Sequence, residues 1–214
     1  KMGIRSSGPG ARWLVSERAS TLRDARWHLY DPRSGHLRRI LEQEAKVSPP
    51  PPETALARKL PFAYRASDGM RVHGFLLLPP GADPARVPLV AQVHGGPINH
   101  FHAGDYDGIA QLLVNRGYAV FESNFRGSTG FGKQFTNAGD GEWAGKMHDD
   151  LIDAVQWAVK QGVTTQDQVA IMGGSYGGYA TLAGLTFTPD AFACGVDIVG
   201  PSNLNTLLST VPPY

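Results

Sequence analysis

Cysteine is almost absent from this sequence. A single one, Cys194, occurs in 214 residues, which excludes an internal disulfide and leaves the redox compartment open between cytoplasm and bacterial periplasm. Long apolar runs are absent too: the longest, such as 75–78, fall far short of the roughly 18 residues that a membrane-spanning helix needs. No charge of either sign accumulates. Twenty basic residues face nineteen acidic ones, for a net charge of +1, and no basic block stands out. Neither nucleic acid nor a membrane surface is therefore an expected partner. No signal-peptide pattern precedes the first strand, and the chain opens on Lys1 rather than Met. Together with the abrupt Pro212-Pro213-Tyr214, this reads as processed ends or a piece of something longer. The length corresponds to about one and a half ordinary domains.

What is present is enough apolar residue, 42%, to bury a core, and an excess of glycine. Nineteen of the 26 glycines lie after residue 90. Before residue 48 the aromatic and β-branched stretches 12–16, 27–31 and 36–41 read as short strands, with a turn at Asp31-Pro32-Arg33-Ser34-Gly35. Pro49-Pro50-Pro51-Pro52 follows as a stiff spacer, so residues 1–48, a linker over 49–60 and a domain over 61–214 are expected. In that last part, strands are expected at 62–66, 71–78, 87–94, 118–124, 169–172 and 193–199. Helices are expected at 109–116, 147–161 and 176–186, with a long glycine-rich loop over 126–145. Alternation of strand and helix predicts an α/β fold with a mostly parallel sheet and helices on both faces.

The sharpest chemical signal is Gly173-Gly174-Ser175-Tyr176-Gly177, a G-x-S-x-G. Chance supplies such a pattern roughly 0.2 times in a chain of this glycine and serine content, so position must decide. It follows an apolar strand and precedes a helix, where a nucleophile elbow places a strained serine. Gly173, Gly174 and Gly177 keep that turn free of side chains, with Gly178 adding slack. A second signal, His94-Gly95-Gly96-Pro97, ends the strand at 87–94. Backbone N–H groups of Gly95 or Gly96, with that of Tyr176, suit an oxyanion hole. His94 reads as structural, because the base of such a fold follows the serine in the chain. His94, His100 and His102 lack a Cys or carboxylate at ligand spacing, so no metal and no cofactor are expected. His148-Asp149-Asp150 reads as the acidic start of a helix, and Cys194 as a small buried apolar residue.

Four motifs occur in order: His94-Gly95-Gly96-Pro97; Asn124-Phe125-Arg126-Gly127-Ser128-Thr129-Gly130-Phe131-Gly132; Glu142-Trp143-Ala144-Gly145-Lys146; and Gly174-Ser175-Tyr176-Gly177-Gly178-Tyr179. The set resembles the prolyl oligopeptidase family of serine peptidases, nearest its acylaminoacyl-peptidase and dipeptidyl-peptidase IV-like branch, over residues 60–214. The resemblance implies an α/β-hydrolase fold preceded by closing strands of a β-propeller. It implies short peptides as substrates, Ser175 as nucleophile, Tyr176 with Gly95 or Gly96 as oxyanion donors, and Arg126 as a brace under the site. The family's catalytic Asp and His lie well downstream of the serine. Here no histidine occurs beyond His148, and neither Asp190 nor Asp197 stands where that acid should. The expectation is therefore an incomplete hydrolase domain, nearly inactive by itself, with the triad Asp and His beyond it. An α/β-hydrolase esterase and a purely structural fragment are the alternatives, and oligomeric state stays undetermined.

Overall fold

The computed structural model describes residues 2–6, 13–17, 26–41, 56–81 and 87–212. Strands β1 (Met2–Ser6), β2 (Trp13–Glu17), β3 (Arg26–Asp31) and β4 (His36–Leu41) form an antiparallel sheet in which each strand pairs with the next. The β3–β4 turn forms as its residues dictate: the Asp31 carboxylate accepts the Arg33 N–H at 2.9 Å, and Gly35 takes a φ of +69° that disfavours a side chain. The proline run at 49–52 lies outside the described residues.

A second sheet carries the candidate chemistry. Its order is β10-β9-β7-β8-β6-β5. Here β5 spans Leu60–Arg65, β6 Arg71–Leu77, β7 Leu89–Val93, β8 Ala119–Asn124, β9 Val169–Gly174 and β10 Cys194–Ile198. Strands β7, β8, β9 and β10 run parallel, while β5 and β6 form an antiparallel hairpin joined to β8. Successive side chains on a strand point to opposite faces. Thus Leu77, Val90 and Val120 pack under helix α1 (Gly108–Asn115) through Ala110 and Val114. Leu89, Ala91, Phe121 and Ile171 face the other way, against α3 (Lys146–Lys160) and α4 (Tyr176–Phe187). The sheet is covered on both faces, as a parallel sheet of near-continuous apolar strands requires.

Helices α1 and α3 are anchored by side chains the sequence supplies. Asp107 caps α1 by accepting the Ile109 and Ala110 N–H groups, while Gln92 of β7 donates to its other oxygen at 2.7 Å. On α3 the buried residues Met147, Leu151, Ala154, Val155 and Ala158 recur at helical spacing. Its Trp157 stacks on Phe62 of β5 with ring centres 4.4 Å apart.

Three elements go beyond the sequence expectations. Strand β1 was not anticipated. Helix α2 (Lys133–Asn137) interrupts the loop expected over 126–145; it buries no side chain and has no side-chain cap, so it leaves no periodic signal. Helix α5 (Leu204–Thr210) was also missed, although Asn203 caps it by accepting the Thr206 N–H at 3.0 Å. Cys194 corrects an expectation: it is exposed, because β10 pairs only with β9 and forms an edge of the sheet.

Candidate active site

Ser175 sits between the end of β9 and the first turn of α4, with φ +57° and ψ −117°. A non-glycine residue rarely adopts this backbone, and surrounding contacts must hold it there. The Ser175 N–H donates to the Ile198 carbonyl at 2.9 Å, and the Ser175 carbonyl accepts the Tyr179 N–H at 3.0 Å. The side chain is left exposed. The glycines around it differ in what they do. A Cβ on Gly173 would lie 2.5 Å from the Gly177 carbonyl carbon, and one on Gly177 would collide with the Val93 carbonyl oxygen. These two allow strand and helix to close on each other. Gly178 provides a close approach rather than slack, since a Cβ there would strike the Asp197 carboxylate and Gly200. Gly174 has room: its nearest neighbour would be the Ile198 carbonyl at 3.8 Å.

Strands β7 and β9 are neighbours, so the loop after β7 arrives beside the elbow. A Cβ on Gly95 would stand 3.0 Å from the Gly174 carbonyl oxygen and 3.4 Å from the Ser175 Cβ. Among the described residues, the N–H groups of Gly95, Gly96 and Tyr176 enter no backbone hydrogen bond outside regular elements. Tyr176 N–H is moreover at the start of α4, where helical N–H groups have no partner. His94 is buried, 7% exposed, with Nδ1 2.9 Å from the Gly95 carbonyl and Nε2 2.9 Å from the Ser128 hydroxyl. Its ring stacks on Phe125 at 4.5 Å. Both ring nitrogens are thus engaged away from Ser175, and burial lowers the His94 pKa to about 4.

Beneath the loop after β8 lies a buried ion network. Arg126 donates Nε and Nη2 to the two Asp150 oxygens at 2.9 and 2.6 Å, and Nη1 and Nη2 to Asp68 at 2.7 and 3.1 Å. The Arg126 backbone N–H adds a further bond to Asp150 at 2.8 Å. Asp150 thus corrects its reading as part of an acidic helix start. It lies one position from Leu151 on the buried face of α3, whose first N–H, that of Lys146, donates instead to the Glu142 carboxylate at 3.0 Å, and it serves as counter-ion to Arg126. Burial raises the Asp150 pKa against the pull of that guanidinium, whereas the Arg126 hydrogen bonds lower Asp68 to about 2. Tyr176 turns its ring into a cluster with Phe125, Trp143 and Tyr179, at 5.4, 4.7 and 6.0 Å.

The structure therefore gathers Ser175, Tyr176, Gly95 and Gly96 at one spot, with His94 and Arg126 behind them. It adds Ser128, Asp150 and Asp68, which sequence reasoning missed; the helical period that places Asp150 beside Leu151 on the buried face was the available signal. No histidine is hydrogen-bonded to the Ser175 hydroxyl among the described residues: His148 pairs with Thr188 at 3.0 Å, and His100 with His102 at 2.6 Å. Asp197 accepts the Gly200 N–H at 2.8 Å. Among the described residues no cluster of three or more His, Cys, Asp or Glu could hold a metal ion.

Comparison with known proteins places this geometry. A sequence model of the prolyl oligopeptidase family matches residues 105–211. The chain is 57% identical to dipeptidyl aminopeptidase BIII of Pseudoxanthomonas mexicana, over 99% of this chain and 32% of that protein. It is 49% identical to dipeptidyl peptidase family member 6 of Caenorhabditis elegans, over 74% of this chain and 24% of that one. In structure it is similar to a puromycin-hydrolyzing peptidase of Mycobacterium tuberculosis, with a TM-score of 0.80 and 25% identity, covering 98% of this chain and 32% of the other. The chain thus spans about a third or less of the length of these relatives.

Proposed function

The chain belongs to the prolyl oligopeptidase family, and from that premise we propose that it carries the nucleophile and oxyanion hole of a serine peptidase that hydrolyses short peptides. Ser175 Oγ attacks the peptide carbonyl, and the carbonyl oxygen takes up the electron pair. That oxygen accepts hydrogen bonds from Tyr176 N–H and from a donor of the Gly95–Gly96 pair, which act as charge develops. The serine proton passes to a histidine held by an aspartate, both supplied from outside these 214 residues, and then to the leaving amine. Water hydrolyses the acyl-enzyme by the same route and frees Ser175. No cofactor takes part.

The observation that carries this reading is the fit of Gly95 against the strained elbow, 3.4 Å from its would-be Cβ to the Ser175 Cβ. Similarity to dipeptidyl aminopeptidase BIII favours release of dipeptides from an amino terminus. The antiparallel sheet β1–β4 has the up-and-down order of a propeller blade, and we assign it to the end of a propeller that screens the site from folded proteins. In the protein made from its complete reading frame, a fluorophosphonate labels Ser175 and the label is lost in Ser175→Ala. Dipeptidyl amides are then cleaved faster than acylated aminoacyl amides or simple p-nitrophenyl esters. Labelling that survives Ser175→Ala overturns the nucleophile, and preference for the simple esters makes the protein an esterase.

A further inference from the structure

We propose that Asp197 is a positioning residue for the nucleophile: it caps the turn over 197–200, holds Val199 in a left-handed backbone conformation and so aims the Ile198 carbonyl at the Ser175 N–H; this rests on Ser175 being the nucleophile. Ala144, Ser175 and Val199 are the non-glycine residues with positive φ among the described residues. Two of them, Ser175 at +57° and Val199 at +51°, are linked by one hydrogen bond. The Ser175 N–H donates at 2.9 Å to the carbonyl of Ile198, the residue just before Val199. A left-handed backbone is unfavourable for any side chain and most so for a β-branched one. Val199 is 84% exposed, so burial gives nothing in return. Such a conformation persists only where its surroundings enforce it.

The enforcement comes from both ends of the turn. Ahead of it, β10 is in register with β9, with Asp197 opposite Gly173 and Ile198 opposite Gly174. Behind it, Gly200 lies against the first turn of α4: a Cβ on Gly200 would stand 2.6 Å from the Tyr179 nitrogen, and one on Gly178 would stand 2.7 Å from the Gly200 Cα. The Asp197 carboxylate ties the two ends together by accepting the Gly200 N–H at 2.8 Å. An aspartate that bonds the backbone a few residues on is a turn-former. The Ile198 carbonyl and the Val199 N–H share one rigid peptide plane. With the strand fixed on one side and Gly200 on the other, the φ of Val199 sets the tilt of that plane, and at +51° its oxygen meets the Ser175 N–H. If Val199 relaxes to the extended region that valine prefers, the plane turns and the Ser175 N–H loses its acceptor. The strained elbow then has one tie fewer, and Ser175 Oγ drifts from its line of attack. Asp197 thus acts on the serine through the main chain, a different part from that of a triad acid.

The test uses the protein from its complete reading frame, with active sites counted by fluorophosphonate labelling run to completion so that misfolded enzyme is not scored. Asp197 is exposed, so Asp197→Ala opens no hole in the core. It lowers kcat per active site by roughly tenfold with KM changed less than about twofold, because small misplacements at a reacting centre are costly. Asp197→Asn keeps an oxygen for the Gly200 N–H and retains at least about a third of the parental kcat, which a role for the negative charge would not allow. In Asp197→Ala/Val199→Gly the glycine enters the left-handed region unaided, and kcat returns to within about threefold of the parent. Asp197→Ser, whose hydroxyl makes the same turn more weakly, loses roughly threefold and takes the place of the alanine variant if that one yields too few labelled sites. Unchanged kcat in Asp197→Ala or Asp197→Ser, a loss confined to KM, Asp197→Asn no faster than Asp197→Ala, or a double variant as slow as Asp197→Ala overturns the proposal. Labelling that persists in Ser175→Ala overturns the nucleophile and this role with it, whereas a labelled parent with kcat-neutral Asp197 variants overturns the positioning role alone.

Discussion

Asp150 shows how much one side chain holds. It and the Arg126 guanidinium are 0% and 3% exposed as side chains, so neither charge is solvated if the other is removed. Breaking a buried pair by removing one partner costs about 3–5 kcal/mol. Asp150→Asn is expected to lower stability by that amount in chemical denaturation. Asp68→Asn, whose side chain is 36% exposed, is expected to cost less than about 1 kcal/mol. Equal losses in the two variants would show that Asp150 is not the principal counter-ion. Glu122 behaves differently. It lies buried in β8 with Lys59 Nζ at 2.7 Å, and neither oxygen has a further hydrogen-bond partner. Burial raises its pKa from 4.5 to about 7. A carboxyl whose folded pKa is raised favours the folded state fully below its unfolded value, and that contribution is lost as pH climbs through the folded value. Stability should therefore fall by about 3 kcal/mol between pH 4.5 and pH 7 on account of this group. In Glu122→Gln that slope disappears, which urea melts at a series of pH values would reveal; a parallel pH dependence in the variant would remove Glu122 as its source.

Among elements, the elbow separates glycines that are sterically required from one that is not. Gly177→Ala is expected to cost at least about 2 kcal/mol, because the Val93 carbonyl of a central strand has nowhere to go. Gly174→Ala should cost less than about 1 kcal/mol, since it meets only ordinary contact. Thermal melts of the two variants check this, and similar losses would mean that the turn tolerates no side chain anywhere. The elbow was legible in the sequence because strand, glycines, serine and helix are contiguous there. The same holds for the six strands and for α3, whose signals are local and periodic. The close approach at Gly178 is invisible locally because what it meets, Asp197 and Gly200, comes from the end of the next strand and just past it. Ser128 stands in a motif but shows no role there, since its partner His94 lies 34 residues away. Asp150 was misread because charge at a helix start suggests the dipole, while the apolar period that would have placed it inside was assigned to its neighbours alone.

At the scale of the whole chain, the sheet has a covered middle and an open flank. Strand β10 and the residue after it expose Val196, Ile198 and Val199, at 50%, 43% and 84%, beside backbone left unpaired among the described residues. An apolar edge of this kind is a template for strand pairing between molecules. The 214-residue chain alone is expected to self-associate in sedimentation experiments, and Val196→Lys with Ile198→Lys to reduce it. It is also expected to hydrolyse peptides negligibly. A monomeric, active preparation of these residues would refute both expectations.

The pairing of β7 with β9, Val93 opposite Gly173, has one more consequence. The nucleophile and the loop that would receive the substrate oxygen each leave the end of one of two adjacent parallel strands. Their separation is set by the spacing between neighbouring strands, roughly 4.8 Å, which backbone hydrogen bonds fix whatever the side chains are. The reactive distance is thus a repeat unit of the sheet, inherited from main-chain geometry. Helix surfaces and outer loops can drift in sequence without stretching it, while a one-residue slip of β7 against β9 would dismantle it at a stroke.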